Sequence, residues 1–120
     1  MYVKFANLPV DDIDRAIAFY TGKLRLTLTT DAPYGEGGRW VELDMPEGNT
    51  SVLVEQGNPD RDRSRPVLVF ITPDVNAAYE RLCGLGVDFH TPPTIAPWKP
   101  GVTFALLKDS EGNLVLLSDG

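Results

Sequence analysis

The 120-residue chain sets 17 acidic against 11 basic residues for a formal net charge of −6, and 42% of its residues are hydrophobic. That balance repels a phosphate backbone or an anionic lipid surface, and no apolar run approaches the ~18 residues of a membrane span, so nucleic acid and membrane are not expected partners. One cysteine, Cys83, and one histidine, His90, supply neither an internal disulfide nor a Cys/His zinc site.

The opening "MYVKFANLPV" has no basic leader followed by a long apolar core, so no signal peptide and a cytoplasmic location are expected. Its apolar alternation predicts a first strand over "YVKFANL". "VDDIDRAIAFYTGKL" then reads as an amphipathic helix: Ile13, Ala16, Ile17 and Tyr20 recur at i, i+3, i+4 and i+7, with Asp11 or Asp12 as N-cap. Three strands follow at about 24–30, 39–44 and 50–55, the last two joined through the turn "PEGN". The polar, proline-bounded stretch "GNPDRDRSRP" at 57–66 reads as a linker.

Beyond it the order repeats. "PVLVFI" is a strand, and "ITPDVNAAYERLCGLG" a helix with Val75, Ala78, Leu82 and Leu85 as its apolar stripe, Thr72 as N-cap, Pro73 at N1 and Gly86 at its end. Strands at about 87–91, 102–108 and 113–118 complete the chain, the last pair turning through "SEGN". With no gap, residues 31–55 align with 95–119 at an offset of 64. Ala32/Ala96, Pro33/Pro97, Gly37/Gly101, Leu43/Leu107, Glu47/Glu111, Gly48/Gly112, Asn49/Asn113 and Leu53/Leu117 are identical. The front halves match at an offset of 62. Duplication explains this agreement. The expected fold is α+β: two βαβββ modules in tandem, 1–56 and 67–120 joined by the linker 57–66, forming one structural domain with a curved mixed-sheet cleft.

Taken together, "VDDIDRAIAFYTGKL", "GRWVELDMPEG", "DVNAAYERLCGLGVDF", "APW" and "DSEGNLVLL" resemble the vicinal oxygen chelate superfamily, which includes glyoxalases, bleomycin-resistance proteins and extradiol dioxygenases. The resemblance spans nearly the whole chain. It implies a binding cleft and a homodimer. In the metal-dependent members it would place metal ligands at the middle of the first strand and in the last strand of each module. Here those positions fall on Phe5, on Val67 by the 62-residue offset, on Leu116, and on Val52 by the 64-residue offset. None offers a lone pair suited to a divalent cation. No metal and no other cofactor is therefore expected, and glyoxalase or ring-cleaving chemistry, which the resemblance ties to that metal, loses its support.

If Val52, Val54 and Leu116 point into the cleft, Glu55 points away, and hairpin partners add Trp40, Glu42 and Asp44 in the first module and Phe104 and Leu106 in the second, leaving Leu43 and Leu107 to face the helices. Trp40, Trp98 and Tyr34, the repeat mate of Trp98, either stack on a planar ligand or plug the rim. Glu42 either accepts a hydrogen bond from a ligand or is a solvated strand residue. Asn7 either orients a ligand or satisfies nearby backbone. His90 has no evident acid partner and Cys83 no basic neighbour, so the first reads as exposed and the second as a small core filler. Arg25 follows "KL", where the family carries glycine.

The expected function is a metal-free small-molecule-binding protein sequestering a planar apolar compound such as an antibiotic, with no catalytic residue. The alternative is a lyase, isomerase or dioxygenase-type enzyme using non-standard residues, with Glu42 or His90 as acid or base. The ligand-binding candidates are Phe5, Asn7, Tyr34, Trp40, Glu42, Val52, Val54, Val67, Trp98, Phe104 and Leu116.

Overall fold

The computed structural model describes residues 1–120, which divide into two compact units, Met1–Arg61 and Asp62–Gly120. In the first, β1 (Phe5–Val10), α1 (Ile13–Gly22), β2 (Thr27–Pro33), β3 (Arg39–Asp44) and β4 (Ser51–Gln56) follow one another. The second repeats the series with β5 (Pro66–Ile71), α2 (Val75–Gly84), β6 (Phe89–Ile95), β7 (Thr103–Lys108) and β8 (Leu114–Ser118). Each unit is a four-stranded mixed sheet, ordered β1-β4-β3-β2 or β5-β8-β7-β6, whose edge strand β1 or β5 runs parallel to its neighbour. This is the tandem α+β architecture expected from the sequence.

Asp12 caps α1, its carboxylate accepting from the Arg15 N–H at 3.0 Å, and the helix buries Ala16, Phe19 and Tyr20 against its sheet. The second helix starts later than its Thr72-Pro73 signal suggested. Asp74, in an extended conformation, takes the Ala77 N–H at 3.0 Å and is the true N-cap, which leaves Pro73 outside the helix. A carboxylate caps at least as well as a threonine hydroxyl, and it also faces the positive end of the helix dipole. Val75 and Leu82 of α2 are buried, whereas Leu85 and Cys83 are exposed, so Cys83 is not the core filler it was read as.

Alternation along the strands separates a face covered by the helix from an open face. In the first unit the covered face holds Leu8, Val10, Val41, Leu43, Val52 and Val54, none more than 1% exposed. Arg39, on the same side, clamps the β2–β3 hairpin to α1 through Asp31 (2.8 Å) and Asp14 (2.9 Å). In the second unit Leu68, Ala105, Leu107, Val115 and Leu117 form the corresponding layer, and Tyr79 of α2 meets Phe89 edge-to-face at 4.7 Å.

This packing corrects the register read from the repeat. Leu43 pairs directly with Val52, nine residues on, whereas its mate Leu107 pairs with Val115, eight residues on. The first hairpin is one residue longer, so the 64-residue offset that holds through both "EGN" turns becomes 63 in the last strand. The cause is Asp109. Its carboxylate accepts from the Glu111 and Asn113 N–H groups and from the Asn113 side-chain amide at 2.8–3.0 Å, closing the second turn tightly around Gly112 at φ 76°. Met45 stands at that place in the first turn and accepts nothing. There Ser51 bonds Asp44 and Thr50 bonds the Val3 carbonyl. Val52 and Val54 consequently face α1, not a cleft, and Leu53 and Glu55 take the open side.

Parts of the expected linker are anchored. Gly57 N–H donates to the Val10 carbonyl, Arg61 bonds Asp11 at 2.7 Å, and Arg63 Nε donates to the Glu111 carbonyl. Arg25 has a φ of 64°, the left-handed conformation in which a glycine is unstrained.

Candidate functional site

The open face of each sheet is where the sequence-derived candidates gather. In the first unit it carries Phe5 and Asn7 from β1, Trp40, Glu42 and Asp44 from β3, and Leu53 and Glu55 from β4, with Asn7 in register beside Leu53 and Leu53 beside Glu42. Phe5 and Trp40 lie on strands separated by β4, yet their ring centroids are 5.8 Å apart at 81°, so this face curls inward over Leu53. Tyr34, from the β2–β3 loop, meets Trp40 at 5.2 Å and 69°. Glu42 Oε2 accepts the Trp40 indole N–H at 2.7 Å, which fixes both side chains on the half-buried floor.

The second unit builds the same face from different residues. Phe104, Leu106 and Leu116 form its floor, with Val67, Val69 and Ile71 alternating outward along β5. Trp98, from the β6–β7 loop, meets Phe104 at 4.7 Å. The sequence paired Tyr34 with Trp98 as repeat mates; the structure shows that each packs on the next strand's aromatic, Trp40 or Phe104, themselves repeat mates. Val69 and Ile71 remain 61% and 68% exposed and Trp98 55%, a concentration of uncovered apolar surface on and beside this face.

Nine of the eleven expected ligand-binding residues thus lie on an open face or on the aromatic that floors it: Phe5, Asn7, Tyr34, Trp40 and Glu42 in one unit, Val67, Trp98, Phe104 and Leu116 in the other. Val52 and Val54 do not. Leu53, Glu55, Val69 and Ile71 share those faces and were not expected there. Counting alternation outward from Glu42 and Val67 finds Leu53 and Val69, once the longer first hairpin is allowed for.

With the register corrected, the positions that the resemblance gives to metal ligands are Phe5 and Leu53 in the first unit and Val67 and Leu116 in the second. All four are hydrocarbon. No three His, Cys, Asp or Glu side chains are grouped to hold a metal ion anywhere in the chain. The carboxylates nearest these positions are engaged, Glu42 with Trp40 and Asp44 with the Ser51 hydroxyl at 2.6 Å. Glu55, expected to point away from the face, sits exposed on it.

His90 is exposed, its Nδ1 2.9 Å from the Thr91 hydroxyl and with no carboxylate beside it. It lies in the second unit and Glu42 in the first. A polar depression of about 200 Å³ at the end of the first hairpin, bordered by Lys4, Asp44, Asn49 and Thr50, contains none of the expected ligand-binding residues. No helix is long and apolar enough to cross a membrane.

Comparison with known proteins agrees with this architecture. The chain is 32% identical over 127 residues to YurT, an uncharacterized protein of Bacillus subtilis (strain 168), covering 96% of each chain. Among solved structures it resembles UcmS2 (TM-score 0.84, 29% identity, 100% of this chain and 98% of that one). It also resembles TnmS3, an antibiotic binding protein from Streptomyces sp. CB03234 (TM-score 0.82, 29% identity, 98% and 93%). The Glyoxalase/Bleomycin resistance protein/Dioxygenase superfamily model matches residues 3–117, both modules from first strand to last, and the chain belongs to that superfamily.

Proposed function

We propose that this chain is a metal-free binding protein that sequesters a planar, largely apolar small molecule, such as an antibiotic, on the open faces of its modules. The observation that carries this reading is the pair of ring contacts, Tyr34 on Trp40 and Trp98 on Phe104, at equivalent places beside faces whose metal-ligand positions are hydrocarbon. Aromatic walls give a flat ligand large contact area at small entropic cost. Phe5, Leu53, Val67 and Leu116 have no atom with which to hold the metal that the superfamily's enzymes need. The likeness to TnmS3, itself an antibiotic binding protein, supports the same class of ligand.

The test is titration of planar polycyclic antibiotics against intrinsic tryptophan fluorescence, with elemental analysis of the same preparation. Saturable quenching by at least one compound, weakened about tenfold by Trp98→Ala, is expected, since each aromatic wall contributes on the order of 0.5–1.5 kcal/mol in addition to the apolar area it buries. Absence of saturation across the panel, or stoichiometric zinc, nickel, iron or manganese, would overturn the proposal. It includes a cytoplasmic homodimer, for which light scattering would give twice the 13.2 kDa chain mass.

A further inference from the structure

We propose that the open face of the first module selects a cationic nitrogen, a protonated amine or quaternary ammonium carried by an otherwise flat ligand. The inference rests on the binding reading above and names the ligand's charge. Comparing each residue with its repeat mate isolates the feature: Trp40 answers Phe104 and Tyr34 answers Trp98, aromatic for aromatic, but Glu42 stands where the second module has Leu106. A carboxylate replaces a leucine beside aromatic positions that both modules keep.

That carboxylate is held ready. Its Oε2 takes the Trp40 indole N–H at 2.7 Å, which fixes the group and enriches the indole ring in electron density. Phe5 and Tyr34 stand nearly perpendicular to Trp40, at 81° and 69°, so the rings form the walls of a corner. Ring faces at right angles beside a fixed carboxylate are what a cation without strong hydration prefers. Glu55 is diagonal to Glu42 on the same face and adds a second negative charge about 7–8 Å away by sheet geometry.

No salt bridge engages Glu42. Arg39 is on the covered side, bound to Asp31 and Asp14, and Arg61 is bound to Asp11. Lys4 Nζ lies 5.5 Å from the Phe5 ring centroid, leaving the Trp40 ring beside Glu42 as the face for a ligand cation.

The experiment titrates two flat tricyclic dyes, cationic proflavine and neutral acridone, at fixed ionic strength. It compares the wild type, Glu42→Gln and Glu80→Gln. Glutamine keeps an acceptor for the Trp40 N–H, and Glu80 is an exposed residue of α2 and no part of that face, so its variant removes the same net charge. The wild type should bind proflavine at least about tenfold more tightly than acridone. Glu42→Gln should abolish that preference, and Glu80→Gln should retain it. A preference that survives Glu42→Gln, or that Glu80→Gln erases equally, overturns the inference. Acridone binding without any preference for proflavine refutes the cation site alone. Glu42-dependent proflavine binding with no acridone binding refutes the apolar-ligand reading alone. Failure of both dyes to bind overturns both.

Discussion

Truncating neighbours on β4 separates the two faces of the first sheet. Val54 is 1% exposed and pairs with Val41 under α1; Leu53, one residue earlier, is half-buried on the open face beside Glu42. Val54→Ala removes two methylene equivalents from a packed layer, at about 0.8 kcal/mol each, and leaves a cavity that a layer including Leu8 and Val41 has little room to close. The expected cost is about 2–3 kcal/mol. Leu53→Ala deletes a larger group from a partly solvated site and should cost about 1 kcal/mol or less, while weakening ligand binding. Urea unfolding followed by both fluorescence and far-ultraviolet circular dichroism would report the midpoints, and coincident curves would license the two-state free energies. In thermal melts the Val54 variant should lose roughly 10 °C. A Leu53→Ala cost equal to or above that of Val54→Ala would refute the register, because it would put Leu53 against the helix.

Arg25→Gly relieves a left-handed φ of 64°, and should raise stability by about 0.5–1 kcal/mol in urea, the relief exceeding the added freedom of the unfolded chain. Asp109→Ala orphans the Glu111 and Asn113 N–H groups inside a buried turn, and a loss of about 2–3 kcal/mol is expected, against less than about 0.5 kcal/mol for Met45→Ala at the equivalent place. Hydrogen bonding from Arg39 holds the Asp31 carboxyl below its ordinary value of 3.8. The stabilisation linked to it is therefore complete above about pH 4 and lost as pH falls through the lowered value; in Arg39→Gln the NMR titration midpoint of Asp31 should move up towards 3.8.

The module order was legible because duplication writes every element twice, and a helix period or strand alternation that is weak once becomes strong when it recurs. The strands at 39–44 and 66–71 fall where the pattern put them, since the alternation of the first and the apolar run of the second begin at a glycine or a proline. Helix α2 began late because two capping signals competed and an aspartate two residues downstream of Thr72 prevailed. The parity of β4 differs from the expected one for a reason no apolar pattern contains. Val52, Leu53 and Val54 are all hydrocarbon, so either parity reads as a sensible strand, and only the loop length decides. That length depends on what Asp109 accepts in one turn and Met45 cannot in the other. The identical "EGN" concealed the difference, because the extra residue lies after the glycine.

The correction exchanges Val52 for Leu53 without changing the chemistry at that position, and it alters the meaning of the neighbouring acids. With the sequence-derived parity, Glu55 pointed away from Glu42 and Asp44. With the observed pairing, Asp44, Glu42 and Glu55 share the open face of the first module, while the second module's floor has Leu106 opposite Leu116 and its β5 shows Val69 where β1 has Asn7. Each repeat pair is an internal comparison on the same backbone. Positions that stay aromatic in both copies, 34/98 and 40/104, serve a requirement common to the two faces. Positions that differ, among them 42/106 and 7/69, give two faces with the same aromatics a different polarity. On the proposed reading the shared aromatics supply affinity for a flat ligand, and the divergent polar residues of the first module determine which flat ligand is retained. Trp98→Ala should accordingly weaken every ligand of the panel, whereas Glu42→Gln should reorder them.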